Sequence, residues 1–76
     1  MSRPYSSREV VHALERLGFL RVSQRGSHLK LRRQTSEGTR TVIVKMGARE
    51  VPAGTFTSIL RQAGIGRQEF QAALES

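Results

Sequence analysis

Residues 20–33 read Leu20-Arg21-Val22-Ser23-Gln24-Arg25-Gly26-Ser27-His28-Leu29-Lys30-Leu31-Arg32-Arg33. Alternating side chains lie on both sides of Gly26-Ser27, a two-residue pair that signals a tight hairpin. Strand side chains point alternately to opposite faces. In the first strand this predicts Leu20 and Val22 on one face and Arg21, Ser23 and Arg25 on the other. In the second, over 28–33, Leu29 and Leu31 share one face, while His28, Lys30 and Arg32 share the opposite one. Thr35-Ser36-Glu37-Gly38-Thr39 is a further turn. A third strand over about 40–46 then carries Val42, Val44 and Met46 on one side and Thr41, Ile43 and Lys45 on the other.

With the apolar sides superimposed, the sheet has an inner face of Leu20, Val22, Leu29, Leu31, Val42 and Val44. Its outer face carries Arg21, Arg25, His28, Lys30, Arg32 and Lys45, with Ile43 breaking the pattern. A one-residue slip would reverse any strand's contribution.

The flanking segments are helical. Ser6 and Glu9 form a capping box, Val10, Ala13, Leu14 and Leu17 follow helical spacing, and Gly18 stops a helix predicted over 7–17. A second helix opens after Pro52, a residue tolerated in a first turn. There Phe56, Ile59, Leu60 and Ala63 form an apolar stripe that ends at Gly64. A last short helix over 67–74 presents Phe70, Ala73 and Leu74. The expected fold class is α+β, a single small domain over 1–76 in the order α-β-β-β-α with a terminal helical turn. Its three-stranded antiparallel sheet carries the helices on one face and leaves the other open.

Seventy-six residues leave no room for a second core or a deep pocket, so chemistry is expected on an open face. The chain has no cysteine, hence no disulfide and no thiolate metal ligand. No apolar run has signal-peptide or membrane-spanning length, and the expected location is cytoplasmic. Thirteen Lys and Arg against six Asp and Glu give a net charge of +7. The excess is concentrated in residues 1–34, where eight basic side chains meet only Glu9 and Glu15. Such clustering suits a polyanionic partner, nucleic acid above all. A membrane surface fits poorly, because no segment pairs a basic face with a broad apolar one.

A titratable imidazole beside fixed cations offers proton transfer next to charge neutralisation, which suits a phosphodiester. His28 is therefore the candidate catalytic residue, with Arg25, Lys30, Arg32, Lys45 and Arg21 as candidate phosphate-binding residues. His12 is expected to point away from its helix's buried stripe, on the other side of the layer from His28. The two histidines and scattered carboxylates show no metal-ligand spacing, so neither metal nor cofactor is expected. Ser27 lacks a base on its own face. The stretch 49–55 could offer helix N-terminal amides to a phosphate, although no phosphate-loop motif accompanies it. One Tyr and three Phe, most on apolar stripes, argue against base stacking on the sheet, so contacts to backbone phosphates should dominate. Three classes follow from the residues: a ribonuclease, a non-catalytic RNA-binding module, and a domain that meets an acidic protein.

Gly26-Ser27-His28, preceded by Gly18-Phe19 and followed by Gly54-Thr55-Phe56 and Ile59-Leu60-Arg61-Gln62-Ala63-Gly64-Ile65, resembles the HicA family of toxins. The likeness runs from the first helix to Glu69-Phe70. It implies a fold similar to double-stranded-RNA-binding domains. It also implies a toxin–antitoxin pair in which a metal-independent endoribonuclease cleaves messenger RNA and halts translation. The implied partner is a HicB-type antitoxin that covers the active face, and the family's catalytic histidine falls on His28. Where family members often carry a further histidine after the third strand, this chain has Lys45.

Overall fold

The computed structural model describes residues 3–76; residues 1 and 2 of the expected 1–76 domain lie outside them. The elements are α1 (Ser7–Arg16), β1 (Leu20–Arg25), β2 (His28–Thr35), β3 (Gly38–Lys45), α2 (Ala53–Ala63) and α3 (Arg67–Glu75). The strands form one antiparallel sheet in the order β1-β2-β3. This is the α+β arrangement that the alternation and the helical stripes predict. The second hairpin is tighter than expected: Thr35 pairs with Gly38, leaving only Ser36 and Glu37 between strands. Thr35 Oγ1 closes it, accepting from the Glu37 N–H at 3.1 Å and donating to the Gly38 carbonyl at 2.7 Å.

The core lies between β2, β3 and the helices. Leu29, Leu31, Val42 and Val44 are buried beneath Val10, Val11 and Leu14 of α1 and Phe56, Ile59 and Leu60 of α2. Tyr5, Phe56 and Phe70 pack ring on ring with centroids 4.9–5.4 Å apart, joining the N-terminal segment, α2 and α3. The capping box at Ser6 and Glu9 is formed. Arg3 donates to both Glu9 carboxylate oxygens, and the Ser6 N–H adds a third bond. The Arg3 bonds are the largest cause holding the Glu9 carboxyl at about 2, with the Ser6 N–H next.

Strand β1 departs from expectation. The register jumps between Arg21 and Ser23, so Val22 is an extra residue in a bulge. Leu20 consequently pairs with Arg32 on the outer face, and Arg21 pairs with Leu31 on the helix side. Leu20 is 71% exposed and Val22 46%, so neither belongs to the inner apolar face. The helices cover β2 and β3 and leave every residue of β1 exposed.

One fully buried polar side chain ties the layers together. Ser7 Oγ donates to the Lys45 carbonyl at 2.7 Å and accepts from the Ala48 N–H at 3.2 Å. The Ser7 N–H also donates to the Ala48 carbonyl at 3.0 Å. The start of α1 is thus pinned to the end of β3. Ser7→Ala strands the Ala48 N–H and the Lys45 carbonyl, and should lower stability by about 1–3 kcal/mol. A lower urea midpoint at unchanged slope is the expected result, and an unchanged midpoint would contradict this role.

Candidate nucleic-acid interface

The Gly26-Ser27 turn sets the site. Gly26 has φ 56° while Ser27 stays at negative φ, which matches a hairpin turn with glycine in its first central position. Such a turn makes Arg25 and His28 direct partners, and His28 pairs in turn with Lys45 on β3. The three therefore form one row across the sheet. Directly opposed residues bring their Cβ atoms to about 4.5–5.5 Å. The row is held at its end, where the Met46 N–H donates to the Ser27 carbonyl at 2.6 Å and Ser7 holds the Lys45 carbonyl.

The next rows are Ser23–Lys30–Ile43 and Leu20–Arg32–Thr41. Arg25, His28, Lys30, Arg32 and Lys45 thus share the outer face, as alternation predicts. No Asp or Glu occurs within any of the three strands. Among the described residues none of the four cations is ion-paired, and the exposed His28 imidazole has no hydrogen-bond partner. The exposed His28 is flanked across the sheet by an arginine on β1 and a lysine on β3. A phosphodiester laid there would meet positive charge on both sides of a group able to move a proton.

Arg21 is a correction. The bulge turns it to the helix side, where its Nε donates to Glu15 of α1 at 3.1 Å, so it leaves the outer cationic face. Several other cations have structural positions. Arg33 donates to the Leu17 carbonyl at 2.7 Å and lies over Phe19, satisfying the end of α1. The Arg40 guanidinium packs against Gly64, at φ 71°, where an added Cβ would come within 2.8 Å of its Cζ. His12 is exposed on α1, in a cleft with Arg8, Glu15 and Arg49 on the helix layer. The two histidines are not brought together.

Sequence reasoning missed Ser7, whose partners lie 38 and 41 residues away. It also missed the groove past Lys45 that contains Glu50 and Thr55. Among the described residues no three His, Cys, Asp or Glu side chains gather as metal ligands, and no helix is long and apolar enough to cross a membrane.

A family model described as the HicA toxin of bacterial toxin-antitoxin matches residues 7–65 of the 76. That span runs from the first residue of α1 through α2 and includes the whole sheet. A search of curated proteins finds no significant match.

Proposed function

Since the chain belongs to the HicA toxin family of bacterial toxin–antitoxin pairs, we propose that it is an endoribonuclease that cleaves messenger RNA without a metal, with His28 at its centre. The observation that carries this reading is the Arg25–His28–Lys45 row on an open sheet whose strands hold no carboxylate. The neutral His28 ring accepts the proton of an RNA 2′-hydroxyl as that oxygen attacks the adjacent phosphorus. The O2′–P bond forms and the P–O5′ bond breaks. The departing 5′-oxygen takes a proton from the imidazolium or from water. Arg25, Lys30, Arg32 and Lys45 hold the phosphate and stabilise the charge that develops on its oxygens.

RNA binding on this face is mostly to backbone phosphates, so affinity should fall steeply with salt. A HicB-type antitoxin that covers the same face would block the row directly. The exposed Leu20 and Ile43, beside Arg32 and Lys30, offer it apolar contact within the cationic field. Messenger RNA as substrate places the activity in the cytoplasm.

The test compares RNA with DNA of the same sequence in EDTA. RNA should be cut and DNA left intact, and a single 2′-deoxy substitution at the cut should protect it. Equal cutting of the deoxy substrate would overturn 2′-hydroxyl attack. Salt-dependent RNA binding with no cleavage would make the domain a non-catalytic RNA-binding module.

A further inference from the structure

At the end of β3 lies a groove of about 460 Å³, bounded by Lys45, the 46–52 loop and the first turn of α2. Met46, Val51, Pro52 and Ile59 supply apolar wall, and Lys45, Glu50 and Thr55 are its polar members. Lys45 thus belongs both to this groove and to the row that contains His28. Through Lys45 the groove adjoins the row, so a nucleotide whose phosphate meets Lys45 lies beside it.

A larger cleft, of about 780 Å³, lies on the helix layer around His12, and neither His28 nor Lys45 lines it. Tyr5, Phe19, Phe56 and Phe70 are all buried and the chain has no tryptophan, so among the described residues His28 carries the one exposed ring on the sheet. The groove offers apolar walls to the flat face of a base and hydrogen-bonding groups to its edge. Glu50 is exposed and makes no ion pair among the described residues, so its carboxylate is an unused acceptor. Thr55 lies in the first turn of α2, which holds no acidic residue and has no side-chain cap.

We infer that this groove is a base-recognition subsite for the nucleotide adjoining the cut, and that Glu50 makes it prefer guanine. The inference rests on the ribonuclease reading above. A carboxylate accepts two parallel N–H bonds, and guanine presents two adjacent donors, N1–H and the N2 amino group, on its Watson–Crick edge. Adenine, cytosine and uracil each place an acceptor beside their donor there, and that acceptor would face the carboxylate. Charge-assisted paired bonds of this kind are among the strong ones.

The experiment exposes an RNA pool with a randomised tract to the full chain and sequences the new ends. The wild type should favour guanine at one position beside the cut. Glu50→Gln should reduce the ratio of guanine to the other bases about tenfold to a hundredfold, the loss expected for a hydrogen bond to a charged group. Glu75→Gln, an exposed carboxylate at the end of α3, is the control and should keep the wild-type ratio. Cleavage with no base bias, or a bias unchanged in Glu50→Gln, overturns the subsite and leaves the ribonuclease standing. A retained bias with lost antitoxin binding assigns the groove to the protein partner instead. No cleavage by the wild type overturns the ribonuclease reading and the subsite with it.

Discussion

His28→Ala should cut RNA about 10²–10⁴-fold more slowly than the wild type, the usual cost of removing a positioned acid–base group. In cells this should abolish growth arrest and preserve RNA integrity. The substitution should not harm the fold, because the imidazole is exposed and makes no hydrogen bond among the described residues. Most RNA affinity should also remain, since Arg25, Lys30, Arg32 and Lys45 are untouched. The expected pattern is a folded, RNA-binding, inactive protein, read by circular dichroism, filter binding and gel assay on one preparation. Toxicity equal to wild type at equal expression would remove His28 from the chemistry. Loss of RNA binding alongside activity would make it a binding residue.

Phe70→Ala should strongly destabilise the domain. Phe70 is fully buried and edge-on to both Tyr5 and Phe56, with centroids 4.9 Å away in each case. Truncating a core phenylalanine costs about 3–5 kcal/mol in lost burial and residual cavity. A chain of this size is stabilised by roughly 4–11 kcal/mol in total, so the change removes from about a quarter to all of it. The cluster holds Tyr5 against α2 and α3, and the Tyr5 carbonyl receives the Val51 N–H at 2.7 Å. Its loss therefore removes one tie on the 46–52 loop, whose Ala48 stays bonded to Ser7. The expected result is a thermal transition at a lower temperature, with toxicity falling together with structure. A cooperative transition close to the wild-type temperature would show that the aromatic cluster is dispensable. The two variants separate chemistry from folding: both lower toxicity, and only Phe70→Ala weakens the fold.

The sequence is informative wherever a local rule coincides with the tertiary one. The Ser6–Glu9 capping box and the 3.6-residue stripe of Phe56, Ile59, Leu60 and Ala63 place helices that form as expected. Alternation in β2 and β3 puts Leu29, Leu31, Val42 and Val44 inside and His28, Lys30, Arg32 and Lys45 outside, because each of these strands keeps an unbroken register. In β1 the same alternation misleads. A bulge at Val22 reverses faces midway, returning Arg25 to the outer face and sending Leu20 outward and Arg21 inward. Nothing in Leu20-Arg21-Val22-Ser23 marks an extra residue. An edge strand outside the helical layer also exerts little burial pressure to correct the pattern.

Charge shows a similar limit. Composition reveals an excess of cations without telling working ones from structural ones. Arg33 and Arg40 lie on strands exactly as ordinary surface arginines would in sequence, yet one closes the end of α1 and the other packs under Gly64. Arg3 and Arg21 are engaged by Glu9 and Glu15. Four cations around one imidazole remain on the outer face, a selection that depends on register and long-range contacts. The Glu50 groove was invisible for the same reason, since β3 and α2 meet there only after folding.

The most direct measurement is the chemical identity of the new 3′ ends when purified wild-type protein cuts a defined RNA in excess EDTA, read by phosphorus NMR or mass spectrometry. Attack by the 2′-hydroxyl beside His28 predicts 2′,3′-cyclic phosphate ends, formed by the wild type and not by His28→Ala. Free 3′-hydroxyl ends, or cleavage that requires an added divalent cation, would contradict the account.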